Sequence, residues 1–92
     1  MEIKHGENRF YLETPHGDAE LLYKMEEKVM VMYHTFVPEE ERGKGLAEVL
    51  TREAFAFAIK NGFLVKPACT YVLHFVKTHE EFRKHSTFTN FE

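Results

Sequence analysis

Three features of this 92-residue chain have the residue types and spacing to do chemistry. The first is the run Val37-Pro38-Glu39-Glu40-Glu41-Arg42-Gly43-Lys44-Gly45-Leu46-Ala47, in which two glycines stand directly before an apolar-striped segment. Glycine lets backbone approach a ligand closely, and the first N–H groups of a helix have no intrahelical partner. Together with the positive end of the helix dipole, such groups favour a phosphate or diphosphate. The second feature is Cys69, the single cysteine. It is either a small buried apolar residue or a reactive thiol. The third is His34, inside an otherwise apolar run from Val29 to Val37. Two readings stand for it: a core histidine held by a hydrogen bond, or a general base, because imidazoles titrate near neutrality.

The glycine loop departs from the commoner phosphate patterns. A P-loop needs Ser or Thr after its lysine, whereas Lys44 is followed by Gly45. A dinucleotide fingerprint needs a third glycine where Glu48 stands, and its strand normally opens the chain. His79-Glu80-Glu81-Phe82-Arg83 departs from the zinc pattern H-E-x-x-H because Arg83 replaces the second histidine, so no metal is expected. Glu39-Glu40-Glu41 reads as a solvated loop that could also repel stray anions or attract a cationic amine.

These groups must be positioned by regular elements. Ile3 to His5 and Arg9 to Thr14 read as short strands around the turn residues Gly6-Glu7-Asn8, with a second turn at Pro15-His16-Gly17-Asp18. Ala19, Leu21, Tyr23 and Met25 then alternate with mainly polar neighbours, which predicts a strand with one face on the core. Val29 to Val37 is apolar on both faces apart from His34 and Thr35, which predicts a central strand covered on both sides. Leu46 to Asn61 is the clearest helix, with Leu46, Leu50, Ala54, Phe57 and Ala58 on one stripe and Gly62 as its stop. Phe63 to Pro67 is a further strand, which Pro67 ends or places at an edge. A strand–helix–strand succession predicts a right-handed crossover with parallel strands. Thr70 to about His85 reads as one or two short helices, and the tail after Ser86 as frayed. The expected class is α+β: an antiparallel meander running into a β-α-β unit with a mixed sheet and C-terminal helix, in one domain spanning 1–92.

Composition narrows the function. A net charge of −3 with mixed signs argues against an electrostatic nucleic-acid binder. No apolar run approaches a membrane span, and Met1 to His5 lacks the apolar block of a signal peptide. One cysteine cannot form an internal disulfide, so the expected compartment is a reducing one, the cytoplasm.

Arg42-Gly43-Lys44-Gly45-Leu46-Ala47 matches the R/Q-x-x-G-x-G/A pattern of the GNAT superfamily of acetyl-CoA-dependent N-acetyltransferases. The wider run His34-Thr35-Phe36-Val37-Pro38, with Pro67-Ala68-Cys69 after the next strand and Gly6-Glu7-Asn8-Arg9-Phe10-Tyr11 near the start, resembles its small single-domain YjdJ-type branch. The resemblance covers roughly residues 3 to 83. It implies two parallel strands that splay beyond the glycine loop, with acetyl-CoA as cosubstrate in the gap. Pantetheine amides would pair with backbone around Phe36 and Val37, and the diphosphate would sit on the N–H groups from Arg42 to Ala47.

The resemblance also places Cys69 close to the acetyl thioester. Two catalytic roles are open there, a nucleophile that takes the acetyl group or a polar contact to the thioester, against the alternative of a packed, inert thiol. A helix start at Thr70 would favour the thiolate form. Larger members carry a pair of helices after the first strand that this chain lacks, so the acceptor side is expected to be open and to suit a large or flexible amine, such as a protein amine. The expected function is acetyl transfer to an amine, directly or through Cys69, by a monomer or weak dimer without nucleic-acid or membrane partners. The alternative is a non-catalytic module that binds CoA thioesters as a sensor.

Overall fold

The structure, a computed structural model, describes residues 2–87. Its elements are β1 (Lys4–Gly6), β2 (Arg9–Thr14), β3 (Gly17–Glu26), β4 (Val29–Phe36), a 3-10 turn (Glu39–Glu41), α1 (Leu46–Lys60), β5 (Leu64–Pro67), α2 (Thr70–Thr78) and α3 (Glu80–Arg83). The five strands form one sheet in the order β1-β2-β3-β4-β5. All neighbours are antiparallel except β4 and β5, which are parallel and joined through α1. This is the expected α+β class.

Period-two patterning builds the meander. Phe10 and Leu12 on β2, and Ala19, Leu21 and Tyr23 on β3, turn to the same face and join one apolar cluster with Met30 and Met32 of β4. On the other side of that cluster lie Leu50, Ala54 and Ala58 of α1 and Val72, Phe75 and Val76 of α2. Both long helices therefore cover one face of the sheet, and the arrangement is two layers deep.

The α1 stripe is wider than the sequence periodicity suggested. Phe55 and Thr51 are fully buried as well, while Phe57 is only half-buried. Phe55 faces α2 and α3, with its ring centroid 5.8 Å from Phe75 and 4.9 Å from Phe82. One helix thus buries two adjoining stripes, one on the sheet and one on its successors. Burying such a phenylalanine stabilises the fold by roughly 1.5–3 kcal/mol.

The expected stop at Gly62 is present, with φ 74. Gly62 N–H donates to Ile59 and Phe63 N–H donates to Ala58, so the last carbonyls of α1 are satisfied by a left-handed cap. Pro67 is the last residue of β5, the final strand of the sheet. The outer edge of β5 is in part covered, because Val65 N–H donates to the His85 carbonyl and Thr87 N–H donates to that of Val65. The chain at Thr87 is thus tied to the sheet; the rest of the tail expected to fray lies outside the described residues.

Strand β4 departs from expectation. It does lie inside the sheet, between β3 and β5. Its first half is well covered, with Met30, Val31 and Met32 buried, but Tyr33, His34 and Phe36 are exposed. The apolar composition signalled a strand covered on both faces along its whole length. The helices cover only one face, and β5 stops pairing halfway.

Candidate functional site

The site begins where β4 loses its regular partners. On one side, β4 pairs with β5 from Val29 to Met32, opposite Leu64 to Pro67, and the last contact is the Ala68 N–H donating to the Met32 carbonyl. Beyond Met32 the two parallel strands part. Among the described residues, the edge of β4 from Tyr33 to Phe36 is paired only with β3.

On the β3 side the register shifts at the same place. Tyr23 pairs with Met32 but Leu22 pairs with His34, so Tyr33 is an extra residue, a β-bulge. In a regular strand His34 would follow Met30 and Met32 onto the core face. The bulge reverses the alternation. Thr35, opposite buried Leu21, takes the core face, and His34, opposite half-buried Leu22, takes the open face. His34 is exposed, so the core-histidine reading is wrong.

Cys69 stands at the N-cap of α2, just past the carboxyl end of β5. Its side chain makes no capping bond. The thiol instead lies 3.6 Å from the Thr35 hydroxyl, and the residue packs half-buried against the core cluster. The structure therefore brings Cys69 to Thr35, across the mouth of the splayed strands. His34 faces away from both, on the opposite side of the sheet.

The glycine loop closes the other wall. Gly43 (φ 86) and Gly45 (φ 78) occupy the left-handed region that other residues adopt only with strain, and Gly45 caps α1 without any side chain. Val49 N–H donating to Gly45 is the first helical bond. Among the described residues no backbone carbonyl accepts from the N–H groups of Gly43 to Ala47, which leaves a row of donors at the positive end of α1. Arg42 differs: its N–H already donates to Glu39, and its Nε donates to the Val37 carbonyl at 3.0 Å. Its guanidinium thus ties the loop to the end of β4. Lys44, between the two glycines, is paired with Glu41 at 2.8 Å.

Val37, Arg42, Gly43, Gly45, Leu46 and Ala47 line a cleft of about 260 Å³, together with Glu41, Glu48 and Tyr71. Ligand pockets commonly enclose about 300–1,000 Å³, so this cleft suits one section of a long ligand. Phe36, at the end of the strand, is 45% exposed.

Sequence reasoning missed two members of this wall. Tyr71 sits on the first turn of α2, two residues past Cys69. Burial, and secondarily the Glu48 carboxylate, push its phenol pKa up, so at neutral pH it is a hydrogen-bond donor. Its signal was its place at a helix start beside Cys69. Glu41 was read as part of a solvated loop, yet it is 2% exposed. A run of three identical residues carries no pattern to show which one the 3-10 turn will point inward. Among the described residues, no three His, Cys, Asp or Glu side chains gather as a metal site.

A mixed sheet whose one parallel pair parts beside a glycine-rich helix start is the scaffold that the GNAT resemblance implies. The match to the family described as GCN5-related N-acetyl-transferase runs over residues 9–85, and the chain belongs to that family. Protein NATD1 of Danio rerio is 30% identical over 82 residues, covering 84% of this chain and 74% of that protein. Protein NATD1 of Bos taurus is 33% identical over 63 residues, covering 67% of this chain and 56% of that protein. The match thus spans little more than half of the bovine protein. In fold, the chain resembles the solution structure of a GCN5-like protein from Staphylococcus aureus, with a TM-score of 0.81 at 24% identity over 97% of this chain and 90% of that one. The chain is therefore a small protein of the GNAT superfamily, as its sequence resemblance implied.

Proposed function

We propose that the chain binds acetyl-CoA and transfers its acetyl group to an amine. One observation carries the reading: the donor row of the glycine loop, the unpaired edge of β4 and the Cys69 thiol converge on one end of the sheet. In this reading the diphosphate rests on the N–H groups from Gly43 to Ala47. Arg42 holds the loop against Val37 and Leu46 lines the cleft floor. The pantetheine amides continue the strand hydrogen bonding at Phe36 and Val37, which leads the thioester towards Thr35 and Cys69.

Two routes share that geometry. In the direct route a neutral amine attacks the thioester carbonyl, the new C–N bond forms, the C–S bond breaks, and CoA leaves as its thiolate. Backbone N–H groups of the parted strand polarise the carbonyl. The ammonium proton passes through water to a base on the acceptor side, and exposed His34, across the sheet from Cys69, is the candidate there. In the covalent route the Cys69 thiolate attacks first, releasing CoA and leaving an S-acetyl cysteine that the amine then cleaves. The Thr35 hydroxyl, 3.6 Å from the sulfur, donates a hydrogen bond to the thiolate in that step.

The acceptor side is open, because among the described residues no helix lies between β1 and β2. That suits a large or flexible amine, such as a protein lysine or N-terminus. Among the described residues, no helix is long and apolar enough to cross a membrane. An active thiol suits a reducing compartment, and we assign the cytoplasm.

Incubation with acetyl-CoA followed by intact mass spectrometry tests the reading. A single acetyl adduct on the wild type that is absent from Cys69→Ala supports the covalent route. Turnover retained in Cys69→Ala supports the direct route and makes His34→Gln the informative variant. A second reading, a sensor of CoA thioesters without turnover, is favoured by one observation: the thiol's polar neighbour is a hydroxyl rather than a base. CoA binding with neither adduct nor amine turnover would select it.

A further inference from the structure

Glu41 is a buried carboxylate beside a loop that binds an anion, which calls for a reason. The 3-10 turn directs it inward while Glu39 and Glu40 remain exposed. Both carboxylate oxygens are engaged. Oε1 accepts from Lys44 Nζ at 2.8 Å, and Oε2 meets His16 Nδ1 at 2.8 Å. The partners come from two separate segments. Lys44 is the one residue between Gly43 and Gly45, and His16 lies in the turn joining β2 to β3. That turn is itself fixed, with His16 N–H donating to the Thr14 hydroxyl and the hydroxyl donating to the Gly17 carbonyl. It also packs close to buried Pro38, at the other end of the glycine loop.

A segment with two glycines has the most backbone freedom to lose, and ordering it opposes binding. Lys44 supplies the one side chain between those glycines by which the loop can be held. An ion pair with one partner buried, as here, is weak evidence for stability but is suited to fixing a register. The cluster sits in the cleft wall itself, since Glu41 lines the same cavity as Gly43, Gly45 and Ala47. The Lys44 hydrogen bond, and secondarily that of His16, hold the Glu41 carboxyl below the usual carboxylate range, so it is ionised when the loop works.

We infer that Glu41 is a positioning residue: it pins Lys44 and the β2–β3 turn together, so that the N–H groups of Gly43 to Ala47 are aimed at the diphosphate before the ligand arrives. This rests on the acetyl-CoA reading and adds to it which side chain orders the loop. It also runs against simple charge counting. If Glu41 acted only through its negative charge, its removal would relieve repulsion and free the Lys44 ammonium for the phosphates, so binding would tighten. Preorganisation predicts the reverse.

The test is calorimetric titration of CoA into the wild type, Glu41→Gln, Lys44→Met and the double variant, with amide hydrogen exchange followed at Gly43 and Gly45. The Lys44 side chain is 56% exposed, so Lys44→Met is the variant that keeps the fold if Glu41→Gln does not. The expected result is about tenfold weaker CoA binding for each single variant, no further loss in the double, and faster exchange at the two glycines with α1 unchanged. Lys44→Arg, which keeps the cation, restores affinity. Unchanged or tighter CoA binding in Glu41→Gln overturns the inference while leaving the acetyl-CoA reading intact. Additive losses in the double variant also overturn it, because they mean that the two residues act separately. A wild type that binds no CoA overturns both.

Discussion

The two halves of β4 both carry large apolar side chains, but Val29 to Met32 is wholly apolar while Tyr33 to Phe36 includes His34 and Thr35, and their fates are opposite. Met30, Val31 and Met32 are buried between β3 and β5, with α1 over one face. Four residues on from Met32, Phe36 is 45% exposed on a strand edge that β5 has left. Between the halves stands the Tyr33 bulge, which turns the second half over. Apolar character therefore serves the core in one half and leaves an open wall in the other. A large exposed apolar side chain beside an unpaired strand edge contributes little to stability, which fits a surface that a ligand covers.

The largest effect expected from breaking this contrast is in the first half. Met32→Ala removes a fully buried side chain and costs about 2–5 kcal/mol, read as a lower denaturation midpoint with an unchanged m-value. A loss below about 1 kcal/mol would mean that this half of β4 is not core. Gly45→Ala is next. No atom lies within 4 Å of the added Cβ, so the effect is conformational: about 1–2 kcal/mol for holding φ 78, with weaker CoA binding as the loop relaxes away from it. Unchanged CoA affinity would show that the left-handed cap is not what presents the donors.

Phe36→Ala sharpens the contrast from the other side. Stability should change by no more than about 0.5 kcal/mol, as for an ordinary surface position, while CoA affinity falls. A large stability loss with no change in affinity would make the open half of β4 a structural surface.

The smallest effect lies at the far end of the sheet. His5 stacks on Phe10 with centroids 3.9 Å apart and meets the Tyr23 hydroxyl at 2.6 Å. Burial lowers its pKa from the ordinary 6.5. Between that lowered value and 6.5 the unfolded chain binds more protons than the folded one, so stability rises with pH across the window and is flat above it. Denaturation midpoints at about pH 5 and pH 7 should differ less in His5→Phe, which keeps the stacking and loses the titration. Glu41 gives a separate acid limb of the same sign. Its depressed carboxyl contributes fully above the ordinary 4.5 and loses that contribution as pH falls through the folded value.

Local pattern determined much of this protein. Alternation set the meander, the stripe from Leu46 and the stop at Gly62 set α1, and Arg42-Gly43-Lys44-Gly45 marked the loop and the family, because each is written within a few consecutive residues. Tertiary structure decided what depends on partners distant in sequence. The Tyr33 bulge is a mismatch of lengths between β3 and β4, and it alone sends His34 to the open face and Thr35 to Cys69. Glu41 is buried because a turn some 25 residues earlier brings His16 to it. Phe55 is core because α2 and α3 fold back over α1. No single stretch of chain contains those relations, since side-chain direction on a strand and burial in a turn are set by the element packed opposite.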